Sequence, residues 1–171
     1  MITIQRADPA DYKLLSKMGR ITFLESHSHS APEKDITGYV TGRYNETTML
    51  AELEDPANIY HIIYAQHQPA GYSKIIFNTD HPEISLKNIC KLERIYLLKE
   101  FYGSNLAGEL FSFNLQLAKE NQQSGLWLYT WKENERAIRF YTKQGFKIVG
   151  SFDFKISETH SNPNHLMLLA F

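Results

Sequence analysis

Cysteine is all but absent from this chain. Cys90 is the only one in 171 residues, so no intramolecular disulfide can form. Its position in a β-rich run reads as a small buried thiol rather than a nucleophile. Charge of one sign is lacking too: a net charge of −1 excludes the basic footprint of a nucleic-acid binder over the chain as a whole. No apolar run approaches membrane-spanning length, and Met1-Ile2-Thr3-Ile4-Gln5-Arg6 has neither the basic start nor the apolar core of a signal peptide. The reading is therefore cytoplasmic. Internal repeats, low-complexity tracts and linker composition are missing as well, which leaves one domain over residues 1–171.

What is present is an ordinary globular balance, 43% hydrophobic and 22% charged, so disorder is not expected. Residues 2–6 alternate as a short strand. Asp8 can cap a helix that has Pro9 at its first position, with Leu14, Leu15, Met18 and Ile21 at helical spacing. The polar stretch from Glu25 to Glu33 reads as a loop. Two short helices follow, around residues 36–44 and 48–53. A hairpin comes next, with strands at 59–65 and 71–77 and a turn at 66–70. Residues 89–98 are β-rich, 106–120 are helical and ended by Gly125, and 126–131 form a buried strand. A helix at 133–143 is closed by Gly145, and strands at 146–154 and 165–171 complete a mixed α/β order.

Charge is unevenly distributed. From Glu25 to Asp55 seven acids face two bases, a net −5. Lys91 to Lys147 holds nine bases against six acids. The first segment could attract a cation and the second tolerate an anion; a solvated surface is the default reading of both.

Two stretches suggest chemistry. Ile95-Tyr96-Leu97 leads into Phe101-Tyr102-Gly103-Ser104-Asn105-Leu106-Ala107-Gly108, a strand, a glycine-bearing turn and a helix start. Several backbone N–H groups and the helix dipole converge there, which suits a pyrophosphate, although such a turn also serves as a plain connection. The second stretch is Asn134, Ala137, Phe140-Tyr141 and Gly145-Phe146. Helical spacing puts Asn134, Ala137, Ile138 and Tyr141 along one face, and core aromatics would produce part of the same pattern.

Together, and in this order, these motifs resemble the GCN5-related N-acetyltransferase (GNAT) superfamily. Leu92-Glu93-Arg94-Ile95-Tyr96-Leu97, Leu126-Trp127-Leu128, the stretch from Trp131 to Ile138 and Ile21-Thr22-Phe23-Leu24-Glu25 are similar to its PaiA-type branch of bacterial polyamine acetyltransferases. The resemblance spans most of the chain and is strongest from Leu92 to Gly150. It implies a central, mostly antiparallel twisted sheet of about six to seven strands flanked by about four helices. It also implies acetyl-CoA as cosubstrate, no metal, a small primary amine as acceptor, a polyamine among the options, and a homodimer.

The resemblance places Tyr141 as proton donor to the leaving thiolate and Glu93 as general base, with an ion pair as the alternative for Glu93. Ile95, Tyr96, Leu97, Asn134, Ala137, Phe140 and Lys143 would hold the cosubstrate together with the turn Tyr102, Gly103, Ser104, Asn105, Leu106, Ala107 and Gly108. Glu25, His27 and Glu33 would meet the acceptor. The family turn carries Gln or Arg, then Gly, then Gly or Ala where this chain has Tyr102, Asn105 and Ala107, so one phosphate-contacting side chain is missing. His27-Ser28-His29 is too sparse for a metal site. Rival readings are a protein N-terminal acetyltransferase with an open groove, and a non-catalytic acyl-CoA-binding module.

Overall fold

The computed structural model describes residues 1–171. Strand β1 (Ile2–Arg6) leads to Asp8, whose carboxylate accepts from the Ala10 N–H at 2.7 Å while Asp11 answers the Asp8 N–H at 3.0 Å. This reciprocal cap starts a 3-10 turn at Pro9–Asp11 that runs into α1 (Tyr12–His27). Helix α1 continues through the first third of the expected loop, to His27. The hydroxyls of Thr22 and Ser26 bond back to carbonyls of their own helix at 2.8 Å, so the polar residues there are satisfied without leaving it. Buried Phe23, stacked on His27, anchors the last turn.

Helices α2 (Glu33–Arg43) and α3 (Glu46–Glu54) follow, the latter capped by Asn45. Strands β2 (Ile59–Ala65) and β3 (Gln68–Ile76) are joined by only Gln66 and His67, both left-handed, so the turn is shorter than expected. Strand β4 (Cys90–Leu97), α4 (Leu106–Glu120), β5 (Gly125–Trp131), α5 (Glu135–Lys143), β6 (Lys147–Lys155) and β7 (Ser161–Ala170) complete the chain. Gly125 does not end α4; left-handed Gln122 does. Gly125 instead opens β5, where a side chain would press on the Leu169 carbonyl at 2.9 Å.

All seven strands form one sheet in the order β1-β2-β3-β4-β5-β7-β6, antiparallel except between β4 and β5. That exception positions the site. The parallel pair is held only at Cys90↔Leu126 and Lys91↔Trp127, after which the two strands diverge. From Glu93 onward, the β5-facing backbone of β4 has no strand beside it.

A second irregularity lies in the same strand. Lys74 pairs with Arg94 and Ile75 with Leu92, so Glu93 is an extra residue, a β-bulge. Before the bulge, Leu92 packs with Phe111 of α4; after it, Ile95 again joins the core on the α4 side. Glu93 and Arg94 consequently both turn to the opposite face, where α1–α3 pack. Strict alternation would have sent one of them into the α4 core.

Candidate active site

The divergence between β4 and β5 opens a cavity of about 670 Å³. One wall is β4 from Lys91 to Leu97, and the other is Tyr129-Thr130-Trp131 of β5. The turn before α4 and the inner side of α5 close one end; Phe23, Ser26, His27, Tyr39, Arg43 and Tyr44 of α1 and α2 close the other.

The α4 end has the features of an anion cradle. Gly103 has φ +79° and Asn105 has φ +62°, both left-handed, and the space around Gly103 is open. Asn tolerates this conformation better than most residues, which is how the turn forms without the family glycine. Gly103, Asn105, Ala107 and Gly108 line the cavity. Ser104 and Leu106 do not: the Ser104 hydroxyl turns back to the Phe101 carbonyl, and Leu106 is buried in the core. One feature escaped sequence reading. Arg136, on the first turn of α5, lies over the Tyr102 ring with its guanidinium carbon 3.6 Å from the ring centroid. It brings a cation to the turn where the family side chain is missing.

On α5, the side-chain oxygen of Asn134 accepts from the Ala137 N–H at 3.2 Å, capping the helix and leaving its amide nitrogen without a protein acceptor. Ala137, Phe140 and Tyr141 line the cavity, while Lys143, in the last turn, lies outside it. Burial raises the pKa of Tyr141, so its phenol stays protonated at neutral pH. Ile95, Tyr96 and Leu97 line the cavity from β4.

The opposite end differs from expectation. Glu25 is not among the lining residues; its carboxylate accepts from the Lys99 N–H at 2.5 Å. Glu33 is exposed in the first turn of α2. Only His27 of the three expected acceptor contacts reaches the cavity, stacked on Phe23 and tilted against Trp131 with ring centroids 5.7 Å apart. Burial, aided by nearby His29, lowers its pKa to about 4, so the ring is neutral at pH 7. No three His, Cys, Asp or Glu side chains gather as a metal-binding group.

Glu93 is surrounded by cations. Lys74 contacts it directly, Lys91 lies at 3.3 Å and Arg43 at 3.8 Å. Burial alone would raise its pKa, but Lys74, then Arg94 and Lys91, overcome this and hold it at about 2. Of the two alternatives for Glu93, the ion pair is the one the geometry displays. Glu52 of α3 is matched similarly: it receives Arg43 and the Tyr60 hydroxyl, Lys74 at 3.1 Å and Arg94 at 3.6 Å. Glu52, one of the acids of the −5 segment, is therefore already matched by cations.

Above this end, the α1–α2 turn is tied to the start of β7. His160 bonds the Ser30 carbonyl at 2.9 Å, and the Asn162 amide donates to the Ser30 hydroxyl at 2.8 Å. Of these residues Asn162 lines the cavity. A shallower hollow of about 460 Å³ shares Lys91, Glu93 and Tyr129 and carries Asp80 and Glu83 on its rim.

Comparison with known proteins agrees with this geometry. The model of the Acetyltransferase (GNAT) family matches residues 22–146. An N-acetyltransferase of Mycobacterium tuberculosis is 31% identical over 134 residues, covering 77% of this chain and 80% of its own. One encoded in the pepI 3' region of Lactobacillus delbrueckii subsp. lactis is 27% identical over 144 residues, covering 84% and 83%. Among solved structures, the PaiA N-acetyltransferase of Thermoplasma acidophilum in complex with coenzyme A superposes with a TM-score of 0.79 at 18% identity, covering 100% of this chain and 99% of that one. A GNAT-family acetyltransferase of Streptococcus pneumoniae gives 0.72 at 20% identity, with full coverage of both chains. The chain belongs to the GNAT family and is an N-acetyltransferase that uses acetyl-CoA.

Proposed function

We propose that this enzyme acetylates the primary amine of a small molecule enclosed at the α1–α2 end of the cavity. The observation that carries this reading is the divergence of β4 from β5. It puts unpaired strand backbone, the left-handed turn before α4 and the Tyr141 phenol around one space. Backbone N–H and C=O groups of Ile95 and Leu97 can pair with the amides of the pantetheine arm as an added strand would. The turn and Arg136 can hold the phosphates, and the free amide of Asn134 can donate to the arm.

Acetyl-CoA supplies the activated acyl group. The acceptor nitrogen bonds to the acetyl carbon, the C–S bond breaks, Tyr141 protonates the departing sulfur, and the proton lost by the amine passes to solvent and restores the phenol. Because Glu93 is held at about 2, we assign it to positioning Lys91 and Lys74 rather than to strong-base work. An amine with an ordinary pKa near ~10.4 is free base in about one molecule per thousand at neutral pH. Cations around the acceptor end raise that fraction, because they disfavour the ammonium form.

A polyamine acceptor draws on the PaiA-like motifs and on the acids between Glu25 and Asp55, and the second support weakens because Glu25 and Glu52 are engaged elsewhere and Glu33 is exposed. Phe23, Tyr39 and Arg43 line the α1–α2 end of the cavity and suit a small acceptor better than a protein N-terminus. The test is release of CoA thiol from acetyl-CoA against a panel of amines, with product mass confirming one added acetyl group. Absence of turnover with every amine, despite CoA binding, would favour the non-catalytic reading. We also propose a homodimer, as the resemblance implies. Edge strand β6, with exposed Ile148, Val149 and Phe152, is a surface that could bury itself in a second copy, and sedimentation should then read twice 19.8 kDa.

A further inference from the structure

The acceptor end of the cavity has an unbalanced charge inventory. Four cations, Arg43, Lys74, Lys91 and Arg94, are linked through two carboxylates, Glu52 and Glu93. No other carboxylate is within ion-pair distance of these four cations, although Asp80 and Glu83 line the neighbouring hollow that shares Lys91 and Glu93. Its tyrosines do not supply the missing charge, because burial raises the pKa values of Tyr60, Tyr72 and Tyr96 and keeps them neutral. Lys74 and Arg94 are almost fully buried, at 3% and 6% exposure, where an unmatched cation is costly. Three of the four cations, Arg43, Lys91 and Arg94, line the cavity. Glu93 lines it too, and Glu52 does not, so three cations and one carboxylate face the space that the acceptor enters.

We propose that the acceptor amine carries a carboxylate, which completes this cluster against Arg43, Lys91 and Arg94, so that the substrate class is an amino acid with an aromatic or other apolar body. The apolar body follows from the rest of the lining: Phe23, Tyr39 and Trp131 line the same cavity as these cations. Aromatic faces also attract ammonium groups, but only in close contact. Repulsion from three cations acts at longer range and is additive, so a second ammonium, as in a polyamine, is disfavoured. The same field lowers the pKa of the reacting ammonium while the carboxylate is held, which couples recognition to formation of the nucleophile.

The proposal rests on the acetyltransferase reading, and the experiment separates the two. Thiol release is measured with phenylalanine and tryptophan, with their methyl esters, and with spermidine, for the wild type and for Arg43→Gln and Lys91→Met. Thermal stabilisation by CoA is recorded for every variant. Methylation removes the carboxylate charge and leaves the amine and ring in place, so the acid-to-ester ratio of kcat/KM is an internal control even if a variant is partly unstable. The expected result is a ratio of at least tenfold in the wild type, falling towards one in either variant through KM while the CoA shift persists. Esters or spermidine turning over as well as the acids would overturn the carboxylate assignment and leave the acetyltransferase reading intact. So would a ratio that survives both substitutions. No thiol release with any amine would overturn both.

Discussion

Tyr141 and Glu93 illustrate how one local environment assigns different duties to two titratable side chains. The phenol lies among Phe140 and Phe146, and burial outweighs the opposing charge of Arg136 to keep its proton in place. Tyr141→Phe removes only the hydroxyl. CoA should still raise the melting temperature as in the wild type, while kcat falls about 10²-fold with KM for acetyl-CoA little changed. Unchanged kcat would make Tyr141 a packing residue. Glu93 leads to a pH prediction. Its folded pKa, about 2, lies below the ordinary value of 4.5, so its stabilisation is complete above that value and disappears as pH falls towards 2. His27 and His61, both lowered to about 4, act in the same direction at higher pH: the unfolded chain takes up their protons first, so stability drops between 6.5 and 4. Melting temperature should therefore decline in two stages on acidification. A profile flat from pH 7 to pH 4 would contradict the burial of the two histidines.

Individual elements carry their own constraints. Helix α1 crosses Tyr44 at Gly19, where a methyl group would collide with the ring. Ala is the better helix former by about 1 kcal/mol, but overpacking a rigid core costs about 1–3 kcal/mol, so Gly19→Ala should destabilise. It should also disturb the Tyr44 ring beneath Arg94. Gly38 of α2 has nothing within 4 Å of an added methyl, so Gly38→Ala should stabilise by about 0.5–1 kcal/mol. The pair can be read in one denaturant series. In the turn before α4, Gly103→Val tests the cradle. The surrounding space is open, yet φ +79° is unfavourable for a β-branched residue, so the turn must change shape. The apo melting temperature should fall with the strain, and the CoA-induced gain measured from that lower baseline should collapse. That gain is about 2.7 kcal/mol for the wild type at a hundredfold excess over Kd.

At the scale of the whole molecule, the sheet functions because it is incomplete. Had β4 and β5 stayed paired along their length, the backbone now available to a ligand would be spent on the ladder. The bulge at Glu93 makes a second exception to regular pairing, and it assembles the charge cluster of α2, α3, β3 and β4 on one face. Removing Arg136 should test how far the mouth of this cavity depends on a side chain from another element. Arg136→Ala should weaken CoA binding by about tenfold and reduce its salt dependence, leaving turnover at saturating acetyl-CoA near the wild-type value. Equal Kd values for the two proteins would show that the stack on Tyr102 is a surface contact only.

Much was legible in the linear order of residues, because the information is local. Asp8-Pro9 marks a helix start by capping chemistry, Leu106 to Glu120 keeps one period throughout, and Asn134 to Phe146 carries its spacing in a single helix and the turn after it. The family, the cosubstrate and the face holding Asn134, Ala137 and Tyr141 follow from such short-range patterns. The acceptor end did not. A net charge of −5 between Glu25 and Asp55 describes a segment, not a surface, and it cannot say that Glu25 caps Lys99 or that Glu52 is matched by Arg43, Lys74 and Arg94. Those partners come from distant parts of the chain, and Glu93 and Arg94 share one face only because an extra residue in β4 interrupts the alternation of side chains. Electrostatic character depends on inverse distance in space, so it was decided when the sheet and helices closed around the site.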